Sequence, residues 1–284
     1  LIQLFKFMTT ASPNTTSPGD GPPSDLLASL DLLRITRNGA VLHLRLHRPE
    51  KRNALSDRLI AQLHTAFLNL PADVRAVVLS GAGEHFCAGL DLSELVARDT
   101  AAAVAHSRSW HAAFEAIQFG RVPVIAALHG AVVGGGLELA AACHLRVAEP
   151  SARFALPEGQ RGLFVGGGGS VRLPRLMGAS RMADMMLTGR VFDAVEAERH
   201  GVVNYLAGEG EGPARALALA DRVAGNAPMT SFAVMHALPR IAEQAPAEGL
   251  FTESLMSALA AATPEAQERL QAFLQGKAAK AVAT

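Results

Sequence analysis

Residues 123–139, PVIAALHGAVVGGGLEL, decide how the rest of the chain is read. The run opens on strand-forming Val124 and Ile125, breaks at His129-Gly130, and crosses Gly134, Gly135 and Gly136 before a helical pattern that carries Glu138. A strand that passes through glycine into a helix leaves the first N–H groups of that helix unpaired, where an oxyanion can be received. Glycine also lets a ligand come close to the backbone. Glu138 lies three residues after Gly135, so the two share a helix face about one turn apart. A carboxylate beside oxyanion donors points to catalysis. The other reading is that the glycines serve only close helix–strand packing and that Glu138 is a buried, paired carboxylate. Against it, a glutamate within LELAAAC is costly unless something needs it.

Around this run, residues 122–143 are apolar enough to raise the question of a membrane span. Pro123, His129, the three glycines and Glu138 fit a buried strand and a buried helix better. The 284 residues allow one large domain, or one with a satellite. Lys+Arg and Asp+Glu both number 26 and no basic run occurs, so nucleic-acid binding is not expected. The two cysteines, Cys87 and Cys143, cannot form a disulfide framework and imply a reducing, cytoplasmic setting. Residues 1–7 are too short for a signal peptide, and Met8 is read as a candidate start. Residues 1–24 are expected to form a disordered N-terminal extension, because TTASPNTTSPGDGPPS has almost nothing to bury.

Working outward, LHLRLH at 42–47 alternates as a half-exposed strand, paired with residues 30–36 through a turn at Arg37-Asn38-Gly39. Arg48-Pro49 stops that strand. Ser56 caps a helix whose apolar positions are Leu59, Ile60, Leu63, Phe67 and Leu70. Residues 75–80 read as a buried strand, and a glycine-punctuated loop, 81–95, leads to a long helix through Trp110, Phe114 and Ile117. Residues 145–148 and 153–155 are short strands, and the glycine cluster 166–169 precedes a helical segment. Strands alternating with helices imply right-handed βαβ units. Beyond Ala179 the pattern is helical, at 180–187, 193–199, 213–225, 228–242, 248–262 and 264–277, with one short strand near 202–205. The division expected is a core domain over 25–205 and a helical C-terminal oligomerisation region over 206–284.

Three further features carry candidate chemistry. In the loop at 86–92, FCAGLDL, Leu90 is a second backbone donor, or else Gly89 only makes a turn and Asp91 caps the helix after it. Glu158 follows an apolar strand end, where desolvation raises a carboxyl toward a useful acid; the plainer reading is a surface loop glutamate. The glycines at 166–169 match neither a Walker A loop nor a nucleophile elbow and are expected to make room for a ligand or a backbone crossing. The histidines His85, His106, His111, His129 and His144 have no metal-ligand spacing, so no metal site is expected.

Taken in order, RPEKRNAL (48–55), FCAGLDL (86–92), HGAVVGGGLEL (129–139) and RFALPEGQRGL (153–163) resemble the crotonase (enoyl-CoA hydratase/isomerase) superfamily, and SVRLPRLMG (170–178) is similar to the stretch after its glycine turn. The resemblance covers roughly residues 30 to 275. It implies an α/β fold, the crotonase (ClpP-like) spiral of ββα units with a helical C-terminal region, assembled as a homotrimer or dimer of trimers. It places the oxyanion hole on the N–H groups of Leu90 and Gly135 and the hydratase glutamates on Glu138 and Glu158. The implied substrate is a coenzyme A thioester, with no further cofactor. Ala88, Gly89 and Leu90 would receive the adenine, and Arg48, Lys51 and Arg52 the phosphates. The acyl tail would run toward Leu95, Trp110, His111 and Phe114. Glu138, at the positive end of its helix, is expected to stay ionised as base, with Glu158 as acid. Having both glutamates favours an enoyl-CoA hydratase of fatty acid metabolism over an isomerase or another acyl-CoA lyase or hydrolase. A non-catalytic RNA-binding homologue is disfavoured by the zero net charge. The chain departs from many hydratases in having Val165 where they carry proline, followed by four glycines. A contact from Phe273 or Lys277 to CoA rests on a looser match at 262–277.

Overall fold

The apolar strand that opens the deciding run lies inside a six-stranded sheet. In the computed structural model, which describes residues 25–94 and 99–277, the sheet has the order β1 (Leu33–Asn38), β2 (Val41–Leu46), β3 (Ala76–Gly81), β4 (Val124–Leu128), β6 (Leu145–Ala148) and β8 (Tyr205–Leu206). β1 and β2 are antiparallel, and every later neighbour is parallel. A separate parallel pair joins β5 (Ala131–Val133) to β7 (Arg153–Ala155). The helices are α1 (Asp25–Ala28), α2 (Asp57–Leu68), α3 (Thr100–Gln118), α4 (Gly135–Ala142), α5 (Gly169–Met177), α6 (Ala179–Thr188), α7 (Ala194–Arg199), α8 (Gly212–Ala224), α9 (Pro228–Phe232), α10 (Leu238–Ile241), α11 (Pro246–Ala261) and α12 (Pro264–Leu274).

β3 and β4 are buried at every position, as a parallel sheet covered on both faces requires. Alternate residues serve the two faces. Val77, Leu79, Val124 and Ala126 join the main core with Leu59, Leu63, Phe114 and Leu137. Ala76, Val78, Ile125 and Ala127 meet Ala216, Leu219 and Ala220 of α8 on the other side. Each such aliphatic side chain contributes about 1.5–3 kcal/mol when fully buried. Thus α8, which the sequence pattern groups with the helical C-terminal region, packs directly on the sheet.

Local signals account for several boundaries. Ser56 caps α2, its Oγ accepting from the Leu59 N–H at 3.1 Å, and Leu59, Ile60, Leu63 and Phe67 are all buried. The first hairpin differs from expectation by two to three residues: β1 runs to Asn38, which pairs with Val41, leaving a two-residue turn at Gly39-Ala40 with Gly39 at φ +56°. The short strand expected near 202–205 begins only at Tyr205, because Val202 and Val203 turn inward and donate to the Ala197 carbonyl. The helix expected over 228–242 is divided by a π-helical turn at Ala233–Ala237. Pro239, two residues beyond it, has no N–H for the helical ladder, which locates the irregularity. Among the described residues no helix is long and apolar enough to cross a membrane. The expectation for residues 1–24 falls outside the described residues.

Candidate active site

Two separated loops are stitched together before they can form a site. The Leu55 N–H donates to the Gly89 carbonyl at 2.7 Å, the Asp91 N–H to the Leu55 carbonyl at 3.0 Å, and the Ala88 N–H to the Arg52 carbonyl at 3.0 Å. On its other side this segment pairs with β5, through Cys87 N–H to the Ala131 carbonyl and Val133 N–H to the Cys87 carbonyl. These bonds use the amides flanking Leu90, whose own N–H has no partner among the described residues. Arg48 completes the clamp, donating to the Ala54 carbonyl at 2.6 Å and to Asp91 Oδ2 at 2.8 Å. Ser93, which donates twice to Asp91 Oδ1, and Arg48 together hold the Asp91 carboxyl down at about 2.

The Gly135 amide arrives at the same place from α4. Gly134 turns the chain at φ +53°, and its N–H is used on the Ala155 carbonyl. The Gly135 N–H, the first of the helix, has no acceptor among the described residues. A Cβ on Gly89, which sits at φ +90°, would lie 2.7 Å from the Val133 carbonyl oxygen and 3.4 Å from the Gly135 nitrogen. Only glycine permits that approach, and it brings the Leu90 and Gly135 amides to one cavity. The glycines of the opening run therefore serve packing and site together. A Cβ at Gly136 would meet the Cys87 carbonyl at 2.3 Å, and one at Gly134 would meet Glu158 Oε1 at 2.7 Å.

The cavity, about 300 Å³, is lined by Ala88, Gly89, Leu90, Gly134, Gly135, Glu138 and Glu158. Ala103, His106, Ser107 and Trp110, one face of α3, line it as well, with Leu163, Phe164 and Val165, and the Trp110 ring packs against Gly135. Glu138 is 3% exposed. Its Oε1 accepts from the Gly167 N–H at 2.9 Å and the Gly169 N–H at 2.7 Å, so it caps the start of α5. A Cβ on Gly169 would lie 2.8 Å from Glu138 Cγ, which explains a glycine there. Glu138 Oε2 makes no hydrogen bond among the described residues and is available to water. Glu158 is half-buried, and its Oε2 is buried without a partner among the described residues. The Trp110 Nε1–H is likewise buried and unpaired.

Burial raises the Glu138 carboxyl above the usual carboxylate range, against the Gly169 and Gly167 N–H groups that favour its charge; Glu158 adds to the rise and Arg172 opposes it. The amides that favour its charge come from Gly167, in the turn before α5, and from Gly169, the first residue of α5. Burial raises Glu158 as well, with Arg161 as the opposing charge. Burial thus favours the neutral form of both carboxyls.

Several expected contacts fall elsewhere. Phe114 does not line the cavity; it is fully buried behind Trp110, edge-on at 5.9 Å between ring centroids. One helical turn beyond Trp110 the same face of α3 has passed into the core. Arg48 and Lys51 do not line the cavity either: the Arg48 guanidinium is committed to Asp91 and Ala54, and Lys51 is exposed on a short 3-10 turn. Phe273 and Lys277 are also absent from its walls. Leu95 lies outside the described residues. The roles of the Gly167 and Gly169 amides, Arg161 and Arg172 are not legible in the sequence. The one available signal was the apolar setting of Glu138, which required donors from somewhere.

Comparison with known proteins agrees with this architecture. A model of the family described as Enoyl-CoA hydratase/isomerase matches residues 36–280. A solved structure from Rhodopseudomonas palustris, provisionally named an enoyl-CoA hydratase, shares 56% identity at a TM-score of 0.86, covering 89% of this chain and 98% of that one. The 2,3-dehydroadipyl-CoA hydratase of Escherichia coli is 36% identical over 86% of this chain and 95% of its own length. The peroxisomal Delta(3,5)-Delta(2,4)-dienoyl-CoA isomerase of Arabidopsis thaliana is 32% identical, covering 78% and 85%.

Proposed function

This chain belongs to the enoyl-CoA hydratase/isomerase family and adopts its α/β crotonase fold, and from that premise we propose that it adds water across the double bond of a 2-enoyl-CoA to give a 3-hydroxyacyl-CoA. The observation that carries this reading is the meeting of two unpaired amides, Leu90 and Gly135, with the buried carboxyl of Glu138 and the half-buried one of Glu158 on one cavity. The thioester oxygen sits between the amides. As water oxygen bonds to the β-carbon, electron density moves onto that oxygen as an enolate, and two fixed N–H donors bind this state more tightly than the substrate. Loss of one such donor typically costs about 10²–10³ in rate. Glu138 takes the proton of the attacking water. Glu158 gives its proton to the α-carbon as the enolate collapses, and proton exchange between the pair resets the site. Ala88 to Leu90 flank the CoA entrance, and Trp110 borders the acyl group. No metal or separate cofactor has a part in these steps.

The assay is incubation of the purified protein with crotonyl-CoA and longer enoyl-CoA thioesters, with mass analysis of the products. Hydration adds one water and removes the conjugated thioester absorbance. A product of unchanged mass would make the chain an isomerase, the activity named for the Arabidopsis relative, and release of free CoA would make it a hydrolase.

The acyl-CoA enzyme is proposed to work as a homotrimer or dimer of trimers. Leu250, Phe251, Leu255 and Leu259 of α11 and Leu270, Phe273 and Leu274 of α12 are all at least 49% exposed, so exposed apolar side chains concentrate on the last two helices. Sedimentation is expected to give three or six chains per particle, and a monomer at micromolar concentration would remove this part of the proposal. The two buried thiols, Cys87 and Cys143, each pushed up to about 12 by burial, suit a cytoplasmic enzyme with no disulfide.

A further inference from the structure

The grip on Glu138 is itself held from behind. Gly167, whose N–H donates to Glu138, accepts at its carbonyl from Arg172 Nη1 at 3.0 Å. Arg172 Nε donates to Gln118 Oε1 at 2.6 Å, tying the turn to the end of α3, and the Gln118 carbonyl lies 2.9 Å from His144 Nε2. A Cβ on Gly168 would lie 2.3 Å from Arg172 Nη1, so the guanidinium fills the space directly under the turn. Arg172 is 8% exposed, and the ion pairs among the described residues do not include it. Burying a guanidinium without a paired carboxylate is costly, and the acidic side chains whose charge acts on it are Glu115 and Glu138.

We propose that Arg172 is a positioning residue for hydration: it braces the 167–169 turn so that two N–H groups point at Glu138, and it places a positive charge directly behind that turn. The inference rests on the hydratase reading above. The charged groups facing Glu138 are Glu158, from the loop after β7, and Arg172, from α5; Glu115 on α3 faces Arg172 in turn, and Arg161 faces Glu158. Of the charged groups, Arg172 is the one that favours the ionised Glu138. A second cavity, about 510 Å³, opens behind the turn and is lined by Arg108, Gln118, Gly168 and Arg172 among others. A small cation can therefore reach the space an Arg172 truncation would leave.

Three variants test this. Arg172→Met removes charge and fork together: kcat is expected to fall about 10–10²-fold, KM to change little, and the acidic limb of the rate profile to move up by about one pH unit as Glu138 loses its cationic neighbour. Arg172→Lys keeps the charge, so its limb stays near wild type while kcat falls less. Arg172→Ala should regain activity in millimolar guanidinium chloride but not in sodium chloride of equal strength. A folded Met variant with wild-type kcat would overturn the proposal. So would one with reduced kcat, an unmoved limb and no guanidinium rescue of the Ala variant, which would leave Arg172 only structural. Should the wild type hydrate no enoyl-CoA, the hydratase reading fails by itself. Carboxyl NMR of Glu138 in the free protein then still tests Arg172, since its titration must move upward in Arg172→Met.

Discussion

Glu138→Gln is expected to lower kcat for enoyl-CoA hydration by about 10²–10⁴ while leaving acyl-CoA binding close to wild type. Gln preserves shape, and its amide oxygen can still accept from Gly167 and Gly169, so the turn that holds residue 138 has no reason to move. The oxygen that takes a proton from water is what disappears. The pH profile gives a second reading of the same change. In the wild type the rate rises as Glu138 ionises, and burial places that rise above the ~4.3 of a free glutamate. The Gln variant should lose this limb. Steady-state kinetics against pH, with binding measured by calorimetry, checks both parts; unchanged turnover would remove Glu138 from the mechanism.

Glu158→Gln is expected to cost a comparable factor of about 10²–10⁴, for a different reason. Glu158 presents a buried oxygen with no partner among the described residues, a site that favours a proton over a charge. Its role as acid requires the protonated form, so wild-type activity should fall as pH rises through its raised pKa, and this upper limb should vanish in the variant. The two glutamates act on one event, so the double variant should be little worse than either single one. Double-variant kinetics checks this, and multiplicative losses would mean that the two act independently.

Much of the site is legible in the sequence. Ser56 and its apolar stripe located α2, and the break from Val124 through Gly134 to Glu138 located the strand, turn and helix that build the site. Those signals are local, set by capping and periodicity within a few residues. The donors to Glu138 were less accessible, because Gly167 and Gly169 lie 29 and 31 residues away and meet it only through tertiary packing. The four glycines indicated space without saying what would fill it. Charge partners are hidden from sequence for a related reason. Arg48 looks in sequence like a cation for phosphate, yet in the fold it is bound to Asp91, 43 residues on, and braces the Leu90 loop. Trp110 and Phe114 share a helix face, and only packing shows that one borders the cavity while the other stands behind it.

Hydration at this site requires one spatial arrangement: a thioester oxygen held by both the Leu90 and Gly135 amides, with Glu138 and Glu158 beside the double bond. A crystal structure with a non-reacting enoyl-CoA analogue bound would show it without intermediate inference. The expected result is a carbonyl oxygen within about 3 Å of both amide nitrogens, with a water held between the two carboxyls. A carbonyl bound away from either amide, or an acyl chain seated in the cavity behind Arg172, would contradict it.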